Sequence, residues 1–391
     1  GAAMISKPEV SMTLSELIHA LSQELNLSSG VERLAPLFES DEDYEKFKAD
    51  HNKYAVKRGD LATYKGNCFI GVDAGSTTTK VALVGSDGEL LYDFYSSNNG
   101  SPLNTTIRAI KDIYSKLPEG AVIAGSCSTG YGEALIKQAL SLDFGEVETI
   151  AHYTAAAFFD PEVDCILDIG GQDMKCIKIK NQTVDSVQLN EACSSGCGSF
   201  IETFAKSLNY TVEDFAHEAL FAKHPIDLGT RCTVFMNSGI ITEQRNGRTS
   251  EDIMAGLCRS IIENVFTKVI RVSNLDSLGK KIVVQGGTFE NDAVLRAMEE
   301  YVGRDVVRAP YPGIMGAIGM ALIAKEKYEK SPETEEIWDL QNLDTFSYTQ
   351  DANSPCPFCG NHCNRTIVKF SNGNSWVTNN RCERGEVIGN P

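Results

Sequence analysis

Two stretches of the chain share one pattern of apolar and polar positions. The first runs Phe69-Ile-Gly-Val-Asp-Ala-Gly-Ser-Thr-Thr-Thr-Lys-Val-Ala-Leu-Val84, and the second runs Asp164-Cys-Ile-Leu-Asp-Ile-Gly-Gly-Gln-Asp-Met-Lys-Cys-Ile-Lys-Ile179. Each predicts a strand, a polar turn and a second strand, with a third strand after it. Apolar periodicity adds helices at about 103–117 and 200–208. Because the pattern recurs, we expect a duplicated α/β unit.

The chain before residue 68 is predicted to be helical. Thr13-Leu-Ser-Glu16 fits a capping box that begins one helix. Ser40-Asp-Glu-Asp43 begins another, with Tyr44 and Phe47 on one side. Nothing in this segment suggests chemistry, so we interpret it as a docking or connecting segment.

Composition narrows the classes of function. The chain has 391 residues, enough for two or three domains, and a net charge of -17 that argues against binding to nucleic acid or to an anionic membrane. No apolar run approaches the ~20 residues of a transmembrane helix, and no signal peptide is visible. We therefore expect a cytoplasmic protein whose twelve cysteines are reduced thiols or metal ligands.

The two polar turns predict a nucleotide site. Asp73-Ala-Gly75 and Asp168-Ile-Gly170 occupy equivalent places, and small-residue turns of this kind bind phosphates through backbone N–H groups. The hydroxyls of Ser76, Thr77 and Thr78 add donors, Gly171 extends the second turn, and Asp73 and Asp168 are suited to a hydrated Mg2+. A third element, a buried strand at 282–285, ends in Gly286-Gly287, where bare backbone can approach a nucleotide.

Two cysteines stand before predicted helices. Cys193-Ser-Ser-Gly-Cys197 leads into the helix at 200–208, and Cys232 follows Gly229-Thr230. Thiolates near helix N-termini face the positive end of the backbone dipole, an arrangement that favours an anionic iron–sulfur cluster. Two cysteines cannot supply four ligands, so the other two would come from this chain or from a second copy.

The C-terminal tail carries a second group of cysteines after a charged linker at 330–336. They are Cys356, Cys359, Cys363 and Cys382. Three clustered cysteines and one distant one suit an iron–sulfur cluster slightly better than a zinc site, in which His362 would replace one ligand. Four unmetallated thiols are the alternative.

These motifs resemble a known family. The three glycine-containing elements are similar to the phosphate and adenosine motifs of the superfamily of actin, sugar kinases and heat-shock chaperone ATPases. Asn190-Glu-Ala-Cys-Ser-Ser-Gly-Cys-Gly-Ser-Phe200 and Arg231-Cys-Thr-Val-Phe235 resemble the ATP-dependent activators of 2-hydroxyacyl-CoA dehydratases and the ATPase subunits of benzoyl-CoA reductase. The resemblance covers about 69–325, and the flanking segments resemble one module of the long fused activators.

The resemblance implies a homodimer with one [4Fe-4S] cluster held by Cys193 and Cys232 of both chains. An upstream donor such as ferredoxin or flavodoxin would reduce the cluster. The electron would then pass, with ATP hydrolysis, to an iron–sulfur dehydratase or reductase partner. Asp73 and Asp168 would bind Mg2+ through water, and Gln172 would orient the attacking water. The resemblance also extends to Ser128-Thr-Gly-Tyr-Gly132, which we interpret as structural.

Other cysteines are interpreted as packed thiols. Cys197 lies four residues after Cys193, on the same helical face if the helix extends so far, and is either an alternative ligand or, as we favour, a small buried thiol. The remaining thiols of this kind are Cys68, Cys127, Cys165, Cys176 and Cys258.

The predicted fold is α/β, with duplicated actin-like (ribonuclease H-like) ATPase domains and a nucleotide cleft between them. The expected divisions are a helical lead at 1–67, subdomain I at 68–148, subdomain II with the cluster cysteines at 149–308, a helix at 309–330 packing back on subdomain I, and a linker with the metal-binding tail at 331–391. Two other functions stay open: a small-molecule kinase with Asp173 as its base, and a non-catalytic, nucleotide-gated interaction module.

Overall fold

The computed structural model describes residues 34–54, 58–190, 194–272, 274–332 and 340–388, together with the single residues 13 and 15. Three sequence predictions fall outside these ranges: the helix opened at Thr13–Glu16, the placement of Cys193, and most of the charged linker at 330–336. Within the described residues, no helix has both the length and the apolar composition needed to cross a bilayer.

The described residues form both helices and strands, in runs of up to four helices or three strands. The helices are α1 (Asp41–His51), α2 (Pro102–Lys116), α3 (Glu133–Leu140), α4 (Glu148–Phe159), α5 (Gly198–Leu208), α6 (Val212–Leu220), α7 (Thr233–Arg245), α8 (Ser250–Asn264), α9 (Asp292–Val302), α10 (Met315–Lys330) and α11 (Leu340–Asp344). The strands are β1 (Gly66–Ala74), β2 (Thr78–Gly85), β3 (Leu90–Ser97), β4 (Ala121–Thr129), β5 (Phe144–Gly145), β6 (Cys165–Ile169), β7 (Met174–Lys180), β8 (Thr183–Asn190), β9 (Ile282–Gln285), β10 (Val307–Arg308), β11 (Tyr348–Pro355), β12 (Asn364–Phe370) and β13 (Ser375–Thr378).

The first sheet has the strand order β3-β2-β1-β4-β5. Strands β1, β2 and β3 form antiparallel pairs, whereas β4 and β5 run parallel to β1. The β2–β3 turn includes Gly88, whose φ of 79° lies in the left-handed region that favours glycine. At the end of β1, Asp73 faces Lys80 on β2 and Thr129 on β4.

The second sheet has the order β10-β9-β6-β7-β8, with the same pattern of antiparallel and parallel pairs. Asp168, at the end of β6, faces Lys175 on β7 and Gln285 on β9. In both sheets, therefore, an aspartate is the penultimate residue of the central strand and a lysine stands opposite it on the next strand.

Helix α10 packs on the first sheet. A Cβ on Gly71 of β1 would lie 1.9 Å from the Ala317 carbonyl oxygen of α10, so glycine is needed for this close approach. Gly319 on α10 similarly abuts the backbone of Ala151 on α4. This packing brings the N-terminal end of α10 beside Asp73, since a Cβ on Gly316 would lie 2.9 Å from its Oδ2 atom.

The third sheet, β11-β12-β13, packs against the first sheet's helices. Val368 and Phe370 of β12 and Leu343 of α11 belong to the same apolar core as β1 and α2. The side-chain amide of Asn372 donates to the carbonyl oxygens of Gln138 and Ala139 on α3 at 3.2 Å. The tail is therefore docked on the first sheet and its helices through both apolar and polar contacts.

Helix α1 forms where the sequence predicts it. Ser40 is its N-cap, with its hydroxyl accepting from the Asp43 amide at 3.2 Å. Phe47 is buried and Tyr44 is half-buried against the core around α8 and α9. Residues 34–54 thus pack on the half of the molecule that contains the second sheet.

Candidate functional site

The first polar turn is held in shape by Asn98, a buried residue that follows β3. The Gly75 amide donates to the Thr78 carbonyl oxygen at 3.0 Å. The Asn98 side-chain amide donates to the Gly75 carbonyl oxygen at 2.8 Å, and the Thr79 hydroxyl donates to Asn98 Oδ1 at 2.6 Å. These hydrogen bonds stabilise the turn on the side of Asn98. Ser76 and Thr77 stay exposed.

The second polar turn is tied to the start of α5. Its Gly170 amide donates to the Asp173 carbonyl oxygen at 2.9 Å. The carbonyl oxygens of Gly170 and Gly171 accept from the amides of Gly198 and Ser199, each at 2.8 Å. The helix that follows the Cys193–Cys197 segment is therefore joined directly to this turn.

The two turns face each other across a cavity of about 270 Å³, which we call the phosphate cavity after the predicted phosphate turns. All the residues predicted for phosphate, Mg2+ and water binding line it, together with the predicted glycine pair after β9. They are Asp73, Gly75, Ser76, Thr77, Thr78, Asp168, Gly170, Gly171, Gln172, Gly286 and Gly287. The geometry suits a chain of phosphates held between two sets of backbone N–H groups.

Asp73 has one oxygen paired with a lysine and the other buried without a partner among the described residues. Its Oδ2 atom lies 3.2 Å from Lys80 Nζ, while its buried Oδ1 atom has no hydrogen-bond partner among the described residues. Burial by itself would lower the pKa of Lys80, but the Asp73 carboxylate raises it above its usual value, so the lysine stays charged. An orphaned carboxylate oxygen at the cavity fits a water ligand of Mg2+.

Asp168 lies in a denser ionic network. His152 Nε2 is 3.7 Å from Asp168 Oδ2 and 3.4 Å from Glu148 Oε1. Lys175 Nζ is 3.0 Å from Glu148 Oε1, 4.0 Å from Asp168 Oδ2, and hydrogen-bonded to Asp173. All five side chains are buried or half-buried. Two cations thus compensate three carboxylates beside the cavity.

The network shifts the pKa of each of three central groups. Burial raises the pKa of Asp168, while the nearby His152 and Lys175 oppose the rise. Burial opposes a charge on His152, but Asp168 and Glu148 outweigh it and raise the pKa of the imidazole. Burial likewise opposes ionisation of Glu148, yet His152 and Lys175 hold its pKa well below the usual range. The network therefore favours charged His152 and Glu148.

Four charged residues of the site escaped the sequence reasoning: Lys80, Glu148, His152 and Lys175. Each lysine follows its aspartate by seven residues, which places the pair across a short hairpin, and this repeated spacing was a usable signal. Glu148 and His152 are one turn apart on α4. Their role depends on the packing of α4 beside β6, for which the sequence carries no signal.

Strand β9 is followed by a glycine, Gly286, that its surroundings require. Gly286 has φ 92°, and a Cβ there would lie 2.3 Å from the Ile169 carbonyl oxygen. The side-chain amide of the preceding Gln285 lies 2.7 Å from His152 Nδ1, so the end of β9 contacts the ionic network. Gly287 lies at the border with a second cavity of about 650 Å³.

The Ser128–Gly132 motif is only partly structural. Gly130 has φ 88° and abuts the Ala74 backbone, and the Gly132 amide donates to the Ala74 carbonyl oxygen at 3.0 Å. These contacts brace the end of β1. Tyr131, however, is exposed and lines the phosphate cavity, so the motif also contributes to the site.

Of the two predicted cluster ligands, the structure describes one. Cys193 lies outside the described residues. Cys232 is the N-cap residue of α7, with a partly exposed side chain, and Val234 and Phe235 in the next turn are largely exposed. A partly exposed thiol at a helix N-terminus fits a shared cluster ligand. Cys197 is fully buried in the core of the second half.

The thiols predicted to be packed are buried. Burial raises the pKa of each of Cys68, Cys127 and Cys258 to about 12, so they remain protonated. Cys165 and Cys176 lie on neighbouring strands with their Sγ atoms 3.7 Å apart. These positions suit small apolar side chains rather than ligands.

The four tail cysteines lie around one end of the third sheet. The Cys356 amide donates to the Cys363 carbonyl oxygen at 2.9 Å, and the turn from Cys382 to Gly385 passes beside Cys356. Across the described residues, these thiols included, no three His, Cys, Asp or Glu side chains converge as a metal-binding group. Metal binding by the tail stays a prediction.

Comparison with known proteins identifies the family. Residues 70–324 match the BadF/BadG/BcrA/BcrD ATPase family. The (R)-2-hydroxyglutaryl-CoA dehydratase activating ATPase of Acidaminococcus fermentans is 29% identical over 264 residues, which cover 67% of this chain and 98% of the relative. The activator of lactoyl-CoA dehydratase of Anaerotignum propionicum is 30% identical over 264 residues, with 67% and 98% coverage.

Solved structures agree with the sequence relatives. Component A of the Acidaminococcus fermentans (R)-2-hydroxyglutaryl-CoA dehydratase has a TM-score of 0.61 and 28% identity, covering 68% of this chain and all of that one. The Clostridium difficile activator of 2-hydroxyisocaproyl-CoA dehydratase, with bound ADPNP, has a TM-score of 0.61 and 26% identity, covering 70% of this chain and all of that one. The chain belongs to the BadF/BadG/BcrA/BcrD ATPase family.

Proposed function

We propose that the protein is an ATP-hydrolysing activator that passes a low-potential electron to a 2-hydroxyacyl-CoA dehydratase or a benzoyl-CoA reductase-like partner. The observation that carries this proposal is the backbone contact between the second phosphate turn and the start of α5. The Cys193–Cys197 segment leads directly into α5, and the first residues of α5 are hydrogen-bonded to a turn that lines the nucleotide cavity. An ATPase that only cleaved nucleotide would not need this connection.

The chain's own residues would bind the nucleotide between two actin-like subdomains. The turns at 75–78 and 170–172 would hold the phosphates, and Gly286 and Gly287 would lie against the nucleoside. Asp73 and Asp168 would hold a hydrated Mg2+, which when bound neutralises phosphate charge. The two sheets of identical topology support the interpretation of these subdomains as a duplication.

Gln172 is our candidate for orienting the attacking water. Its side chain is exposed, lines the phosphate cavity and follows the two glycines of the second turn. A side-chain amide can accept from water and donate to a phosphate oxygen at once. His152 and Lys175 would meanwhile keep Asp168 in place through their charges.

Cys193 and Cys232 of two chains would hold one [4Fe-4S] cluster in a homodimer. The cluster supplies a low-potential electron carrier when bound. The exposed apolar side chains Val234 and Phe235 beside Cys232 suit burial against a second copy. Ferredoxin or flavodoxin is the proposed donor, and the tail cysteines are proposed to bind zinc or a further iron–sulfur cluster.

The kinase alternative is less well supported by the geometry. A kinase base would need a carboxylate directed to an acceptor hydroxyl. Asp173, the only candidate raised by the sequence, is hydrogen-bonded to Lys175, and its backbone closes the second turn. Asp173 is therefore better suited to anchoring Lys175 and the turn than to abstracting a proton.

Rapid mixing of the reduced protein with a viologen acceptor under anaerobic conditions tests the proposal. ATP is expected to accelerate reoxidation relative to ADP, because the nucleotide would reposition α5. The Cys232→Ala variant should lose the reaction, while Cys258→Ala, a buried thiol in α8, should keep it. Identical reoxidation rates with ATP, with ADP and without nucleotide would overturn the proposed function.

A further inference from the structure

Residues 34–54 precede the stretch at 70–324 that matches the family, yet they are firmly attached to it. The Leu34 amide donates to the Pro225 carbonyl oxygen at 2.8 Å, and Arg259 Nη2 donates to the Ala35 carbonyl oxygen at 2.8 Å. Arg296 Nε donates to the Leu37 carbonyl oxygen at 3.1 Å. The backbone of this segment is thus fixed on the second half of the molecule.

Side-chain contacts also hold α1. The guanidinium of Arg296 lies over the rings of Phe38 and Phe47, 5.2 and 5.9 Å from their centroids. His51 Nε2 lies 3.2 Å from Glu299 Oε1, and both side chains are buried. Helix α1 is therefore a fixed part of the fold, and its position relative to the cleft is defined.

One residue of α1 reaches the cleft. Tyr44 lines the larger cavity, and its hydroxyl donates to Asp292 Oδ2 at 2.7 Å. Its ring makes edge-to-face contacts with Phe38 and Phe221, with centroids 5.1 and 5.7 Å apart. Burial, together with the bond to Asp292, raises the pKa of Tyr44, so the phenol remains neutral and keeps donating. The ring is held at the cavity wall from two sides.

The larger cavity continues from the phosphate cavity. Tyr95, Gly171 and Gly287 line both of them. If the phosphates lie between the two polar turns, the nucleoside must extend into the larger cavity, past the glycine pair. That cavity is about 650 Å³, and it too has a polar group without a partner.

That polar group belongs to Asn291. Its Oδ1 atom caps α9 by accepting from the Ala293 amide at 2.9 Å, while its Nδ2 atom has no hydrogen-bond partner among the described residues. Asn291 is 8% exposed and lines the same cavity as Tyr44. Tyr44 and Asn291 thus contribute an aromatic ring and a polar amide group to one cavity, the mixture of apolar and polar groups that is typical of small-molecule sites.

We propose that Tyr44, contributed by a segment outside the family match, forms part of the wall that binds the base and ribose of a purine nucleotide. Tyr44 is then an affinity-determining residue and not a catalytic one. The proposal rests on the proposed function, since it takes the phosphates to lie between the two turns. A nucleoside is common to ATP and ADP, so Tyr44 would stabilise both complexes equally.

Tyr44→Ala in the full chain tests this, with Tyr54→Ala, an exposed tyrosine of the same segment, as the matched control. We expect the Kd values for fluorescent ADP and ATP analogues to rise about tenfold in Tyr44→Ala, as loss of one aromatic contact implies. KM for ATP should rise similarly while kcat stays unchanged, because uniform binding is lost. Tyr54→Ala should leave all four quantities unchanged.

A measurement on the wild-type protein covers the case in which Tyr44→Ala fails to fold. Saturating ADP should slow amide hydrogen exchange in residues 41–51 and leave residues 102–116, on α2, unchanged. Unchanged exchange in 41–51, or Kd values for Tyr44→Ala within twofold of wild type, would overturn the proposed role of Tyr44 and leave the proposed function untouched. A wild-type protein that binds no adenine nucleotide would overturn the proposed function as well.

Discussion

The two carboxylates at the ends of β1 and β6 have different surroundings. Asp73 is paired with one lysine and keeps a buried oxygen without a partner among the described residues. Asp168 lies between His152 and Lys175, within the ionic network described above. Asp73 is therefore the better placed of the two to take a new water or metal ligand, whereas Asp168 is already held by fixed charges.

Gln172→Ala tests the assignment of the water-orienting residue. We expect kcat for ATP hydrolysis to fall on the order of 100-fold, because the attacking water loses its position, with little change in nucleotide Kd. Steady-state ATPase assays and nucleotide titrations measure both. Gln350→Ala, an exposed glutamine on β11, is the control and should match wild type. Full turnover by Gln172→Ala would show that the assignment is wrong.

His152 gives the site a pH-dependent contribution to stability. Its pKa is raised in the folded state, so the folded protein binds the proton more tightly than the unfolded chain does. The resulting stabilisation is fully present below the unfolded pKa of about 6.5 and is lost as the pH rises through the folded pKa. His152→Gln should therefore lower the free energy of unfolding more at pH 6 than at pH 9.

Urea unfolding at the two pH values measures this difference. His217→Gln is the matched control, since the ring of His217 on α6 is largely exposed. The control is expected to change the free energy of unfolding little at either pH. An equal or greater effect of His152→Gln at pH 9 would contradict the charge state inferred for the network.

Residues that bind through short turns could be predicted from the sequence, and residues that act through packing could not. The Asp-x-Gly pattern shows where a strand ends in a tight turn, and the structure brings both turns to one cavity. Asn98 and His152 come from elements remote in sequence from the turns they support. Their partners depend on the three-dimensional arrangement of α4, β3 and β9, which periodicity does not define.

At the scale of elements, the contact between the second turn and α5 connects the nucleotide cavity with the helix that follows the cysteine segment. A Cβ on Gly198 would lie 2.7 Å from Thr288 Oγ1 and 3.2 Å from the Gly170 carbonyl oxygen. Gly198 is therefore needed for the helix to begin so close to the turn. This contact is where a nucleotide-dependent movement of the turn would reach the cysteine segment.

Gly198→Ala tests that link. In the wild-type protein, a chelator should bleach the proposed cluster at different rates with ADP and with a non-hydrolysable ATP analogue, because the nucleotide would alter the position of α5. In Gly198→Ala the difference between the two bleaching rates should shrink, since α5 must move away from the second turn to make room for the added Cβ. Gly239→Ala in α7 is the control, because there is space for a Cβ at that position, and it should keep the wild-type difference in bleaching rate. Equal bleaching rates in the wild type would contradict the coupling.

The docked tail predicts a contribution to stability. Phe370 is buried in the core that β12 shares with β1 and α2. Phe370→Ala should lower the free energy of unfolding by about 3 kcal/mol, through lost burial and the cavity left behind. Urea denaturation measures it, with Tyr348→Ala, a half-exposed residue of β11, as the control. A change below about 0.5 kcal/mol would contradict the shared core.

The regular elements were largely predictable, but their docking was not. The strand–turn–strand patterns predict β1, β2, β6 and β7, and the Ser40 cap predicts the start of α1, each to within a few residues. The sequence predicts the tail as a separate metal-binding segment, because its cysteines are its most distinctive residues. Val368 and Phe370 alternate along β12 in a pattern that indicates a half-buried strand, but not which surface buries it.

At the scale of the whole molecule, two sheets of the same topology enclose a nucleotide cavity, and a segment outside the family match completes one wall of the larger cavity beside it. The repeated pattern predicted the two sheets. The contribution of residues 34–54 was unforeseen, since a helix with Tyr44 and Phe47 on one side is typical of any docked segment. Because the tail shares its core with the first sheet, cysteine substitutions test metal binding better than truncation does.

Iron content of the full chain, purified anaerobically and reconstituted, tests the central claim most directly. A [4Fe-4S] cluster shared by two chains predicts that wild type holds about two more irons per chain than Cys232→Ala or Cys193→Ala. Subtracting the iron content of the variant from that of wild type cancels any iron that the tail holds. Cys258→Ala, which removes a buried thiol, is the control and should match wild type. Equal iron in wild type and Cys232→Ala, or no iron in either, would contradict the account of an ATP-driven electron carrier.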